Sequence, residues 1–208
     1  EISVEGYVHA GRAVVLTLTH KLLGAEPSFV ETGHIVEYPA PQAQRATIEA
    51  YVTDLCRALG VALGPFHCEL RLVDGAPVLV ELGARLPGGR ITDLIEIVTG
   101  VSLHRVMLAT HLGLAPDAFG TAALPQAGCA GIHNLTAPDI ERVTSIRGVH
   151  EVRRLPYVRD VVLDVAPGSP VPPYGDWRSR LGQVMFVADD YSEAIQRRER
   201  IEAMVQIV

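Results

Sequence analysis

Gly64-Pro65-Phe66-His67-Cys68-Glu69-Leu70-Arg71-Leu72-Val73, then Asp74-Gly75, then Ala76-Pro77-Val78-Leu79-Val80-Glu81-Leu82-Gly83-Ala84-Arg85-Leu86-Pro87-Gly88-Gly89-Arg90, is the stretch that decides the fold. Asp-Gly between two apolar runs is a strong hairpin signal. The spacing predicts antiparallel strands over Phe66–Val73 and Pro77–Leu82. Glu69 lies five residues before Asp74 and Glu81 six after Gly75, so the two carboxylates come close across the ladder. Opposed carboxylates repel unless a cation lies between them, and Mg²⁺ accepts one or two carboxylates plus phosphate oxygens and waters. Arg85, four residues after Glu81, and the flexible Gly88-Gly89 would face the same site. A planar guanidinium suits phosphate or acyl-phosphate oxygens. Glutamates on a hairpin are usually solvated edge charges, but the setting here is apolar. Glu81 ends the run Val78-Leu79-Val80, and Glu69 follows Phe66 and Cys68. Charges in such strands cost stability unless they are paired. His67 points opposite to Phe66 and Cys68 and is read as packing or hydrogen-bonding locally.

Outward from the hairpin, Ile2–Val8 alternates with period two and Ala13–Thr19 is rich in Val, Leu and Thr, giving a second hairpin across His9–Arg12. A short strand is expected over Phe29–Tyr38 and a helix over Gln42–Leu59. The helix carries Ile48, Val52, Leu55 and Leu59 on one face, with Gly60 just past its end. Helices follow over Thr92–Val98 and Leu103–Leu112. Gly, Pro, Ala and Thr dominate Pro116–Gly128, where a boundary is placed, giving domains 1–118 and 119–208. The second domain is expected to hold strands at Ala130–Leu135, Val158–Val165 and Gln183–Val187, and a last helix, Ser192–Val205, with Ser192 as N-cap. The fold class is α+β: an antiparallel sheet with packed helices, then a smaller α+β domain.

Composition narrows the function classes. The 208 residues are 48% hydrophobic and 20% charged, enough for a sizeable core. A net charge of −6 with no basic cluster argues against nucleic-acid and anionic-membrane partners. No apolar run reaches transmembrane length, and Cys56, Cys68 and Cys129 form neither a disulfide framework nor a zinc pattern, so a reduced, cytoplasmic setting is expected. Lys21 is the only lysine. The chain opens on Glu1 inside a strand-like segment and is read as a fragment.

The sequence resembles the C-terminal half of an ATP-grasp enzyme, in particular the ATP-dependent carboxylate–amine ligases that join L-amino acids. The resemblance rests on Glu1-Ile2-Ser3-Val4-Glu5-Gly6, Phe29-Val30-Glu31-Thr32-Gly33-His34, Glu69, Glu81-Leu82-Gly83-Ala84-Arg85 with Pro87-Gly88-Gly89, and Tyr174-Gly175-Asp176-Trp177 with Arg180 and Gly182. It implies that Glu69 and Glu81 hold Mg²⁺ (or Mn²⁺), Glu81 bridging two ions, and that Arg85 holds the transferring phosphoryl group. Glu1 falls where the family contacts the nucleotide ribose, and Lys21 near the phosphates of ATP. Glu31 and His34 fall where substrate binds: Glu31 as acceptor for a substrate ammonium, His34 as a group that polarises the carboxylate or stabilises an oxyanion. Gly88 and Gly89 border the same substrate. Gly83 stands where many ATP-grasp proteins have Asn, which puts one metal ligand in question. The implied reaction joins a small-molecule carboxylate, an amino acid by the resemblance, to an amine through an acyl phosphate, and leaves room for a homodimer. Bicarbonate activation of the biotin-carboxylase or carbamoyl-phosphate type, and a non-catalytic binding module, remain alternatives. The lid and adenine-binding lysine of a complete ATP-grasp site are not in these residues, so little ligase activity is expected from them alone.

Overall fold

The computed structural model describes residues 1–24, 26–27, 29–120 and 124–208. In chain order its elements are β1 (Ile2–His9), β2 (Arg12–Leu23), β3 (Glu31–Val36), α1 (Gln42–Ala58), β4 (Gly64–Val73), β5 (Ala76–Gly83), α2 (Ile91–Thr99) and α3 (Leu103–His111). There follow β6 (Cys129–Leu135), β7 (Ile146–Arg147), α4 (Val149–Arg153), β8 (Val158–Leu163), a 3₁₀ turn (Trp177–Ser179), β9 (Gly182–Ala188), α5 (Tyr191–Met204) and β10 (Gln206–Ile207). The fold is α+β. No helix among the described residues is long and apolar enough to cross a membrane.

The chain divides into two units, one of Glu1–His20 and Val36–Ala127, the other of Lys21–Ile35 and Gly128–Val208. In the first, β5, β4, β1 and β2 lie side by side, every pairing antiparallel. Strand alternation sorts their side chains. Ile2, Val4, Leu18, Phe66, Cys68 and Leu70 join Ile48, Val52 and Cys56 of α1 in one buried cluster. Ser3, Glu5, His67 and Glu69, at the intervening positions, go to the other face. Burying a helix stripe against one face of a sheet is the main stabilising term, and it leaves the opposite face to polar chemistry. Cys56, Cys68 and Cys129 are all buried.

Gly6 shows how tightly this sheet is fitted. The β1–β2 register shifts between Glu5 and Gly6, and a Cβ on Gly6 would sit 2.1 Å from the Val14 carbonyl oxygen and 2.7 Å from Phe66 Cζ. A backbone carbonyl cannot swing aside as a flexible side chain can. Gly6→Ala should therefore lower stability by about 1–3 kcal/mol, the usual cost of overpacking. Urea unfolding followed by circular dichroism checks this; a variant as stable as the parent would contradict the tight fit.

In the second unit β3, β6, β9 and β8 are neighbours, with β6–β9 and β9–β8 antiparallel, and β7 pairs with β10. All seven residues of β6 and of β9 are buried, and α5 lies against both strands. The cap of α5 differs from the expectation. Asp190, not Ser192, is the N-cap; its carboxylate accepts the Glu193 N–H at 2.9 Å, while Glu193 Oε2 accepts the Asp189 N–H at 2.9 Å. The two bonds satisfy the Glu193 and Asp189 N–H groups, one on each side of the N-cap, a variant of the capping box in which Glu193 reaches one residue beyond the cap, while Ser192 lies already inside the helix.

Candidate functional site

The Asp74-Gly75 turn has φ of +51° and +81° at its two central residues, the left-handed pair that closes a two-residue hairpin. From it the ladder runs Val73↔Ala76, Leu72↔Pro77, Arg71↔Val78, Leu70↔Leu79, and then slips: Glu69 pairs with Glu81, leaving Val80 as the extra residue of a bulge. An unbroken ladder would set Glu69 opposite Val80 and turn Glu81 to the other face. The bulge inverts the facing of the rest of β5 and brings both carboxylates opposite each other on one face. The uneven count of five and six residues from the turn is absorbed at this point.

Each acid has a protein cation beside it. Arg85 Nη2 lies 2.9 Å from Glu81 Oε1, with both side chains about half exposed. Glu69 is more enclosed, and His67 Nε2 lies 3.2 Å from its Oε1. The other ring nitrogen, His67 Nδ1, lies 3.0 Å from Oε1 of Glu5, which is fully buried. Glu5 Oε2 accepts the hydroxyls of Thr19 at 2.6 Å and Thr17 at 3.3 Å. Burial pushes the His67 imidazole down, but hydrogen bonds to Glu5 and Glu69, with their charges, outweigh it and raise it to about 9. His67 is thus an imidazolium at neutral pH. Sequence reading gave it only a local role and gave Glu5 none. The available signal was Glu5 itself, an acid between Val4 and Gly6 in an apolar strand, which demands a partner.

Around this row, Glu1 Oε2 lies 3.2 Å from Arg71 Nε. Gly88 and Gly89 lie in the loop before α2; Gly89 has φ of +60°, and a Cβ on Gly88 would meet nothing within 4 Å. Among the described residues no group of three or more His, Cys, Asp or Glu side chains is placed to hold a metal ion. The hard carboxylate pair Glu69–Glu81 nonetheless fits a divalent ion whose other positions are filled by phosphate oxygens and water. It does not fit a closed site built from protein alone. Gly83, opposite His67 on β5, adds no side-chain ligand.

In the second unit the sequence-predicted residues gather as well. Lys21 Nζ is 2.9 Å from Glu31 Oε1, and His34 Nε2 is 3.6 Å from Glu31 Oε2. Lys21 and His34 are buried, whereas Glu31 is 39% exposed and so offers the open side of the group. Its backbone is fixed: Asn134 Nδ2 donates to the Glu31 carbonyl at 2.8 Å, and Asn134 Oδ1 accepts from Gln183 Nε2 at 3.1 Å. Lys21, expected near ATP phosphates, is the ion-pair partner of Glu31.

Comparison with known proteins bears on the family and the fold. Residues 1–93 match the family model described as ATP-grasp domain, and residues 134–208 the one described as L-amino acid ligase C-terminal domain 2. Protein y4rH of Sinorhizobium fredii is 31% identical over 173 residues, covering 82% of this chain and 35% of that protein. Dapdiamide A synthase of Enterobacter agglomerans is 42% identical over 55 residues, 26% of this chain and 13% of that enzyme. The crystal structure of an L-amino acid ligase from Bacillus licheniformis superposes with a TM-score of 0.88 at 24% identity, over 100% of this chain and 51% of the other, and shares the fold. The chain thus spans about a third of the first of these relatives and about half of the solved ligase.

Proposed function

We propose that this chain, a member of the ATP-grasp superfamily whose last segment is of the L-amino acid ligase type, supplies the metal-binding and phosphoryl-holding part of an ATP-dependent carboxylate–amine ligase. The observation that carries the reading is the bulge-enforced pairing of Glu69 with Glu81, with Arg85 against the latter. Glu69 and Glu81 would hold Mg²⁺ or Mn²⁺, which when bound neutralises charge on a transferring phosphoryl group. Arg85, half exposed and free to swing by its long stem, offers a planar fork to the same oxygens. Glu1 contacts the ribose. The Cβ-less backbone at Gly88 and Gly89 lets substrate approach closely.

In the proposed reaction a substrate carboxylate oxygen attacks the γ-phosphorus of ATP, and the bond to ADP breaks. The amine nitrogen then attacks the carbonyl carbon of the acyl phosphate. The C–N bond forms, the C–O bond to phosphate breaks, phosphate leaves with the electron pair, and nitrogen sheds a proton. Glu31 accepts a hydrogen bond from a substrate ammonium, sharing its charge with Lys21. His34 polarises the carboxylate or meets the developing oxyanion. Catalysis of this kind is mostly positioning and electrostatics.

Hydroxylamine in place of the amine tests the acyl phosphate. The product of the whole reading frame that encodes these residues, given ATP, Mg²⁺ and an amino-acid mixture, should form a hydroxamate only when ATP is present, and mass spectrometry of the hydroxamate names the acid. ATP hydrolysis that requires bicarbonate and yields no hydroxamate would overturn the ligase reading in favour of carboxylation chemistry.

A further inference from the structure

We infer that His67 is a positioning residue for Glu69, held in place by the buried Glu5. The inference rests on the reading of Glu69 and Glu81 as the divalent-ion pair. Four adjacent strands carry the arrangement: Thr17 and Thr19 on β2, Glu5 on β1, His67 and Glu69 on β4, and Glu81 on β5. Glu5 is fully buried, so it cannot meet a ligand itself. Its Oε2 is tied to two threonine hydroxyls and its Oε1 to His67 Nδ1 at 3.0 Å. His67, 4% exposed, has its remaining nitrogen 3.2 Å from Glu69 Oε1. The row therefore runs from a rigid interior to one carboxylate at the opening.

The physical consequence is pre-organisation. A glutamate that chelates a cation loses side-chain freedom, and that cost falls on the binding step unless the fold has already imposed it. With Oε1 fixed through an imidazole whose other nitrogen is anchored, Glu69 meets the ion already ordered. Partners that orient ligands in this way typically contribute 10–100-fold in metal affinity. An ion pair serving only the fold would need Glu5 and His67 but would have no need to extend to Glu69.

Two variants divide the bridge. The amide nitrogen of asparagine falls near Nδ1 of histidine, and that of glutamine near Nε2. His67→Asn keeps the contact with Glu5 and removes the one with Glu69; His67→Gln does the reverse. With the 208-residue chain and Mn²⁺ as probe, read by the electron paramagnetic resonance signal of free Mn²⁺, H67N should weaken binding about tenfold, H67Q by less than about threefold, and E81Q at least as much as H67N. If E81Q binds Mn²⁺ as the parent does, the metal reading falls and the positioning role with it. If E81Q is weakened while H67N and H67Q bind alike, or H67Q is the weaker, His67 serves the fold alone; the positioning role is overturned and the metal reading stands. The parent chain decides the matter should a variant not fold: on Mg²⁺ titration the His67 ¹⁵Nε2 resonance should move in step with saturation, and a resonance that stays put overturns the proposal.

Discussion

On the proposed ligase reading, Glu81→Gln should cut ATP-dependent amide formation by the product of the whole reading frame by at least about a hundredfold, the upper end of what losing a mere ligand-orienting partner costs. The substitution is nearly isosteric and removes one charge. Because Glu81 is 55% exposed and its pair with Arg85 is solvated, folding stability should change by less than about 0.5 kcal/mol. That combination makes the variant diagnostic: chemistry lost with fold retained. Thermal unfolding and product formation, measured on the same preparation, check both halves. Turnover equal to that of the parent would remove Glu81 from the site, and the ligase reading would lose the observation on which it stands. Glu69→Gln is a poorer probe, since Glu69 also partners His67 and its loss disturbs the fold as well as the site.

What could be read in advance followed from local rules. The Asp74-Gly75 turn, the strands on either side of it and the start of the α1 stripe, Ile48 and Val52, depend on neighbours within one or two elements, and periodicity records them; farther along the helix the buried residue is Cys56, while Leu55 is only partly buried and Leu59, expected on the same face, is 60% exposed. The closeness of Glu69 and Glu81 was legible from the turn; the bulge that makes them face each other was not, because nothing about Val80 as a residue marks it as the extra one. The Glu5–His67 contact was hidden for a different reason. It depends on the β1–β4 register, a pairing of residues 62 apart in sequence that the sequence shows only as two separate alternating strands. The N-cap of α5 failed on a shorter scale: Ser192 is a good capping type, but Asp190 with Glu193 three residues on satisfies two donors at once. Lys21 pairs with Glu31 between β2 and β3, a contact that local periodicity does not show.

His67→Leu should destabilise the first unit by about 3–5 kcal/mol, the cost of leaving a buried charge without its counter-ion. Glu5, fully buried, would keep only the two threonine hydroxyls, and the Glu5 and Glu69 carboxylates would face an apolar side chain where an imidazolium stood. The pH dependence of the parent gives an independent measure of the same interaction. His67 rises from its ordinary 6.5 to about 9 in the folded state, so the native protein holds a proton that the unfolded chain has released over that interval. Stability from this group is present in full below about pH 6.5, declines as pH climbs, and is gone above about pH 9; the interval corresponds to about 3 kcal/mol. Urea unfolding in metal-free buffer should therefore show the parent losing stability between about pH 7 and pH 10, while His67→Leu, already lower, shows little change over the same range. The two curves should converge at high pH, because deprotonation does to the parent what the substitution does to the variant. Parallel curves would mean that the imidazole carries no charge at neutral pH and holds Glu5 by a neutral hydrogen bond at most.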